Sequence, residues 1–171
     1  MKVGVAILAA GSSSRFGADK VLLELGGRPV WDWSVRTFRG IQDVCEIVIV
    51  AGENRSQIAS KTILRVVSGG QSRQLSSRIG VEALMKNCDV ILVHDAARPF
   101  IDEDLVTKVI DAAHQHGAAA LVTPVPDTIR QRVDGTATLV DRSSLQRFLE
   151  PRVCLTGGVL FAIYSRFASL V

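Results

Sequence analysis

Aromatic residues are scarce in this chain. One Tyr, two Trp and six Phe make up 5% of 171 residues, although apolar residues make up 47%. The core must therefore be built from Val, Ile, Leu and Ala, which suits a buried parallel sheet flanked by helices better than an aromatic-rich sandwich. Charge excess is also missing: 20 basic residues against 17 acidic ones leave +3, with no basic block and no aromatics set among cations. The electrostatic footprint of a nucleic-acid binder is therefore absent. The three cysteines, Cys45, Cys88 and Cys154, are odd in number and far apart. They match neither a zinc spacing nor a disulfide framework and are read as buried thiols in a reducing compartment. The longest apolar stretch, residues 153–164, is too short and too close to Arg166 to span a membrane. Near the start, Gly11 and Arg15 interrupt the apolar residues before an export signal could form. These absences predict one soluble, cytoplasmic domain with a single aliphatic core and no nucleic-acid or membrane partner.

The elements that are present alternate between strand and helix. Residues 3–9 form a continuous apolar run that stops at a Gly-Ser loop, the pattern of a fully buried strand. Pro29 opens a helical stretch through Trp31, Val35 and Phe38. Further strands are expected over 46–50, 64–67, 90–93 and 119–122, and a helix over 72–85. Asp102, Glu103 and Asp104 place carboxylates at the start of another helix, which Gly117 closes. Residues 129–133 and 138–140 flank Asp134-Gly135, a pair suited to a tight hairpin turn. The fold class is therefore α/β: a Rossmann-like three-layer sandwich whose mostly parallel sheet carries helices on both faces, with a protruding β-arm. The loops after Ala9, Val67, Val93 and Val122 all leave carboxyl ends of strands, where such sheets bind ligands.

The first of these loops belongs to "AILAAGSSSRFGADK", residues 6–20. Its small residues let backbone N–H groups approach an anion, and Arg15 and Lys20 add charge. It is neither G-x-x-x-x-G-K-[ST] nor G-x-G-x-x-G. The alternative is a Ser-rich turn with two solvated cations. The loop resembles the A-A-G-x-[GS]-x-R element of nucleotidyltransferases that activate a phosphorylated small molecule with a nucleoside triphosphate. A second stretch, "HDAARPF", ends a buried strand with a carboxylate, which is costly unless paired or bound to a metal. Beside a triphosphate, Asp95 would hold Mg²⁺, and Arg98 could grip a phosphate with its planar fork. The alternative is an Asp that caps the next turn with Arg98 as its surface partner. His94 is read as a packing residue.

"HDAARPF" resembles the 2-C-methyl-D-erythritol 4-phosphate cytidylyltransferase family. "SGGQSRQLS" (68–76), "PVPDTI" (124–129) and "DRSSL" (141–145) follow in the family's order, so the resemblance spans about residues 3–147. It implies transfer of CMP from CTP to methylerythritol 4-phosphate, with loss of pyrophosphate, in isoprenoid precursor synthesis. It also implies a CTP site of Ala9, Ala10, Gly11, Ser12, Ser13, Gly70, Ser76, Asp95 and Ala96. Arg15, Lys20 and Arg142 would be catalytic and Asp95 would hold Mg²⁺. Arg98, Asp127, Thr128 and Arg142 would hold the methylerythritol phosphate, partly across a homodimer joined by the arm, about 124–145. The chemistry suits this inventory: a phosphate oxygen is already an anion, so it needs alignment and charge neutralisation rather than a Ser-His or Cys-His pair.

Some features depart from that pattern. The short "RFGADK" spacing resembles molybdenum-cofactor guanylyltransferases, and a ribitol-phosphate cytidylyltransferase is a further alternative within the class. Gln71 and Leu75 stand where the family often has Asp. After Glu150 the chain has no acidic residue, and its last stretch does not resemble the family's. The expectation is a nucleotidyltransferase domain over 1–150 and a divergent tail over 151–171, from a truncated or frame-altered copy, with a native but divergent tail as the alternative. A catalytically impaired nucleotide-binding protein is the alternative from outside the enzyme class.

Overall fold

The computed structural model describes residues 1–11 and 17–155. In chain order its strands are β1 (Val3–Ala9), β2 (Glu24–Leu25), β3 (Arg28–Pro29), β4 (Val44–Ala51), β5 (Arg65–Ser68), β6 (Val90–Asp95), β7 (Ala118–Pro124), β8 (Arg130–Val133), β9 (Thr136–Leu139) and β10 (Gln146–Leu155). The α-helices are α1 (Val30–Gly40), α2 (Arg55–Ala59), α3 (Arg73–Leu84) and α4 (Glu103–His116). Single 3-10 turns lie at Lys20–Leu22 and Arg142–Ser144.

Six strands form one sheet in the order β5-β4-β1-β6-β10-β7. β1 pairs in parallel with β4 and β6, and β4 with β5. β10 runs antiparallel to both β6 and β7, so β7 points the same way as β6 and β10 alone is reversed. β1 is buried at all seven positions, as its unbroken apolar run requires. The period-2 alternation of the strands divides the core between two faces. Val5, Ile7, Ile49 and Leu92 meet Trp31, Val35 and Phe38 of α1, Ile58 of α2, and Val106, Val109 and Ile110 of α4. Ala6, Leu8, Val48, Val50 and Ile91 meet Val81 and Leu84 of α3 on the other. The expected three-layer Rossmann-like sandwich is therefore present.

Local signals explain the helix ends. Ser72 accepts a hydrogen bond from Leu75 N–H at 3.1 Å and starts α3. Asp102 accepts one from Leu105 N–H at 2.9 Å and starts α4. Side-chain acceptors of this kind satisfy donors that the first helical turn leaves open. At the arm, Asp134 and Gly135 both take positive φ, 48° and 80°, and close the hairpin of β8 and β9 in the sense that strand twist favours. Every residue of β8 and β9 is exposed, so the arm stands away from the sheet.

Two expectations need correction. β10 crosses the boundary drawn at residue 150 and lies inside the sheet, between β6 and β7. The first part of the tail is thus continuous with the main domain; residues 156–171 lie outside the described residues. The sequence signals no strand there, because "RFLEPRVCL" has no clean period-2 pattern and pairs with strands that local pattern does not specify. The cysteines are not uniformly buried: Cys88 is buried but Cys45 is exposed. Although 43 positions separate them in sequence, the Cys45 and Cys88 sulfurs lie 3.8 Å from each other.

Candidate active site

The chain runs from β1 through β4 to β5 on one side, then returns to β6 on the other. The loops after β1 and β6 therefore leave adjacent strands where the strand order reverses, the point at which such sheets form a ligand crevice beyond their carboxyl edge. The Ala96 N–H donates to Leu8 O at 2.9 Å and ties the two strand ends together. The loop after β5 joins them: Gly69 N–H donates to Ala51 O at 2.8 Å. A Cβ on Gly69 would lie 2.6 Å from the Ala10 Cβ, so only glycine lets the two loops sit flush.

Ser76, on the first turn of α3, is buried beneath this junction. Its Oγ accepts from Gly70 N–H at 3.1 Å and donates to Gly70 O at 3.4 Å. Ala9, Ala10, Gly11, Gly70, Ser76, Asp95 and Ala96 thus stand at one edge, on the ends of β1 and β6, the loops after β1, β5 and β6, and the first turn of α3. Ser12, Ser13 and Arg15 lie outside the described residues.

Asp95 ends β6 with its carboxylate partly exposed. Arg73 donates to Oδ1 twice, from Nε at 3.2 Å and Nη2 at 2.9 Å. The Arg98 Nε lies 3.8 Å from Oδ2. Two guanidinium groups and one carboxylate thus gather at the end of β6, a grouping suited to a polyanion. Arg73 was not singled out from the sequence, although it is the Arg of "SGGQSRQLS". Among the described residues no group of three or more His, Cys, Asp or Glu side chains could hold a metal by itself. A hard divalent ion would fit Asp95 only together with ligand oxygens, and only by displacing part of the Arg73 contact.

His94 is fully buried and does pack rather than face the crevice. Its ring meets Phe38 edge-on with centroids 5.3 Å apart. Its Nε2 lies 3.1 Å from Arg98 O and 3.2 Å from Ser34 Oγ. The carbonyl can only accept, so Nε2 carries the proton. Burial pushes the imidazole pKa down to about 4, against an opposing hydrogen bond to the Arg98 backbone and the nearby Asp95 charge. The ring is therefore neutral at neutral pH. It anchors the turn, closed by Arg98 N–H to Asp95 O at 3.0 Å, that presents Asp95 and Arg98.

Lys20 is held by a constellation that the sequence did not reveal. Asp19 caps its 3-10 turn, accepting from Val21 N–H at 3.3 Å. The Asn54 amide donates to Asp19 Oδ2 at 2.8 Å and to Ala9 O at 3.0 Å, and accepts from Gly52 N–H at 3.0 Å. One buried amide thus joins the end of β1, the Lys20 turn and the loop after β4. Asp19, which departs from the family's usual residue, has a structural partner here.

The arm residues behave differently. Arg142 donates to Pro126 O, while Asp127 and Thr128 are exposed. Asp141 accepts from Ser143 N–H at 3.0 Å and Ser143 Oγ at 2.9 Å, and these bonds hold its carboxyl below the ordinary range. The side-chain hydrogen bonds described for the arm stay within it.

The sequence profile of the family IspD, 2-C-methyl-D-erythritol 4-phosphate cytidylyltransferase, matches residues 3–166. The chain belongs to this cytidylyltransferase family. The profile extends beyond residue 147, where the motif resemblance stopped, and into the stretch that reads as divergent. The cytidylyltransferase of Caldanaerobacter subterraneus subsp. tengcongensis is 33% identical over 141 residues, covering 76% of this chain and 62% of that relative. That of Solibacter usitatus is 35% identical over 164 residues, 86% of this chain and 67% of the relative. This chain thus spans roughly two thirds of the length of these curated cytidylyltransferases. The crystal structure of the Thermus thermophilus cytidylyltransferase is 32% identical, with a TM-score of 0.76 over 95% of this chain and 74% of that one. No helix among the described residues is long and apolar enough to cross a membrane.

Proposed function

We propose that the chain transfers CMP from CTP to 2-C-methyl-D-erythritol 4-phosphate, releasing pyrophosphate. The observation that carries this reading is the meeting of the loops after β1, β5 and β6, with Gly69 flush against Ala10 and Asp95 between two guanidinium groups. Membership of the family supplies the substrates. An oxygen of the methylerythritol phosphate attacks the α-phosphorus of CTP. A new P–O bond forms, the bond from the α-phosphorus to the bridging oxygen breaks, and pyrophosphate leaves with that electron pair. No protein nucleophile is required. The residues align the two phosphates and neutralise charge as it develops.

In this proposal Arg15 and Lys20 serve the α-phosphate, and Lys20 is aimed by the Asp19–Asn54 brace. Backbone groups from Ala9 to Ser13 and at Ala96 cradle the triphosphate. Gly70 and Ser76 shape the pocket edge that reads the cytosine. Mg²⁺, held by Asp95 and phosphate oxygens, would supply further charge neutralisation. Arg98 holds the methylerythritol phosphate together with Asp127, Thr128 and the catalytic Arg142. These three stand on an arm that its own sheet leaves exposed, so a second copy receives them in a homodimer. The compartment is the cytoplasm.

The test is thermal unfolding with Mg²⁺ plus CTP, GTP, ATP or UTP, followed by pyrophosphate release when methylerythritol phosphate is added. A ligand at a hundred times its Kd adds about 2.7 kcal/mol. Stabilisation by CTP alone, with release, supports the proposal. Preference for GTP supports the guanylyltransferase alternative suggested by "RFGADK". CTP binding without release in any condition identifies the impaired nucleotide-binding alternative.

A further inference from the structure

At the opposite, amino-terminal edge of the sheet, three unrelated features bring two thiols together. The pairing of β1 with β4 passes from Val3↔Val44 to Gly4↔Glu46, which leaves Cys45 as the extra residue of a bulge. Bulges re-aim side chains, and here the Cys45 sulfur turns toward Val3 O at 3.5 Å. On the other side of β1, Cys88 lies two residues before β6. A Cβ on Gly4 would stand 2.7 Å from the Cys88 sulfur, so the missing side chain is what lets this thiol lie over β1. The two sulfurs come within 3.8 Å, although 43 positions separate the residues. Both line an open cavity of about 760 Å³ with Lys2, Glu46, Lys86 and Asp89. Cys45 is exposed to it, so a small reagent can reach one member of the pair.

We propose that Cys45 and Cys88 are a reversible dithiol–disulfide pair, closed by a low-molecular-weight disulfide that enters this cavity. The site is separate from the carboxyl-edge crevice and does not depend on the activity proposed for it. First, the Cys45 thiolate attacks one sulfur of glutathione disulfide, giving a mixed disulfide and releasing one glutathione thiolate. The Cys88 thiol then gives its proton to the released glutathione thiolate and attacks the Cys45 sulfur, expelling the second glutathione, which takes up the proton that Cys45 had lost. Two protein thiols are oxidised by two electrons, and one disulfide is reduced to two thiols. The sulfurs must close from 3.8 Å to about 2.0 Å for the bond to form. Burial, followed by the contact with Cys45, raises the Cys88 pKa to about 12, so the second step is the slow one. The bond would join β4 to the connection between α3 and β6. It would restrict a long loop of the unfolded chain and stabilise the fold.

The experiment incubates the native full chain with glutathione disulfide and follows intact mass, peptide linkage and melting temperature. The expected product has lost two hydrogen masses, carries a Cys45–Cys88 peptide link, melts several degrees higher, and reverts with dithiothreitol. Cys88→Ser should stop at a glutathione adduct on Cys45, and Cys45→Ser should leave Cys88 unmodified. A wild-type chain that keeps the adduct, links through Cys154, or does not react would overturn the proposal.

Discussion

Acidification gives a direct test of how the Asp95 turn is held. His94 is fully buried, its Nε2 lies against Arg98 O, and its pKa is depressed to about 4 from an ordinary 6.5. Above pH 6.5 the ring is neutral whether the chain is folded or not, so its titration costs nothing. As pH falls below 6.5 the unfolded chain takes up a proton that the folded chain refuses, and stability declines until the folded ring also titrates near pH 4. The span of about 2.5 units makes the loss roughly 2 kcal/mol by pH 5 and 3 kcal/mol by pH 4. Carboxylates titrate in the same range, so the informative quantity is the difference between wild type and His94→Gln, which keeps an amide donor but cannot ionise. Urea unfolding from pH 7 to 4 should show that difference shrinking by this amount, with the variant the less sensitive to acid. The imidazole proton and carbon shifts should also report a neutral ring at pH 5. Parallel stability profiles for the two proteins, or a ring that titrates near 6.5, would refute the reasoning.

Other perturbations separate holding from binding. Asn54→Ala leaves Asp19, Ala9 O and Gly52 N–H without a shared partner and should cost about 2–4 kcal/mol in urea unfolding. Its turnover at saturating CTP should fall more than its CTP affinity, because Lys20 loses its aim. Ser76→Ala removes the partner of Gly70 N–H beneath the loop junction and should cost about 1–2 kcal/mol, with weaker CTP binding by calorimetry. Arg73→Ala removes a half-exposed ion pair and should change stability by less than about 1 kcal/mol. It should still alter the concentration of Mg²⁺ needed for half-maximal CTP binding, since Asp95 would no longer have to exchange a guanidinium for the ion.

Much of the framework was legible because it is written in local pattern. The run at 3–9 is β1 to the residue, Ser72 and Asp102 cap the helices they precede, and Asp134-Gly135 turns the arm. Each depends on residues within one or two turns of chain. The loops that gather at the candidate site were legible too, because a buried parallel strand must end at the sheet's carboxyl edge. His94 was read as a packing residue because it follows an apolar strand, and the ring is buried against Phe38. The Arg of "SGGQSRQLS" had a visible signal in its motif, yet only the structure gives it Asp95 as a partner across 22 positions.

What the tertiary structure alone decided rests on contacts between distant segments. Asn54 is one polar residue in an ordinary-looking loop, and its role exists only because Ala9 and Asp19 arrive beside it. β10 lies reversed between β6 and β7, and only the strand order of the sheet brings those two partners to it. Cys45 and Cys88 look unrelated until a one-residue bulge and a bare Gly4 bring their sulfurs together across β1. Sequence periodicity reports which face of an element seeks burial. It does not report which remote groups meet once that burial is satisfied, because the meeting is set by strand order, register and the angle at which loops return.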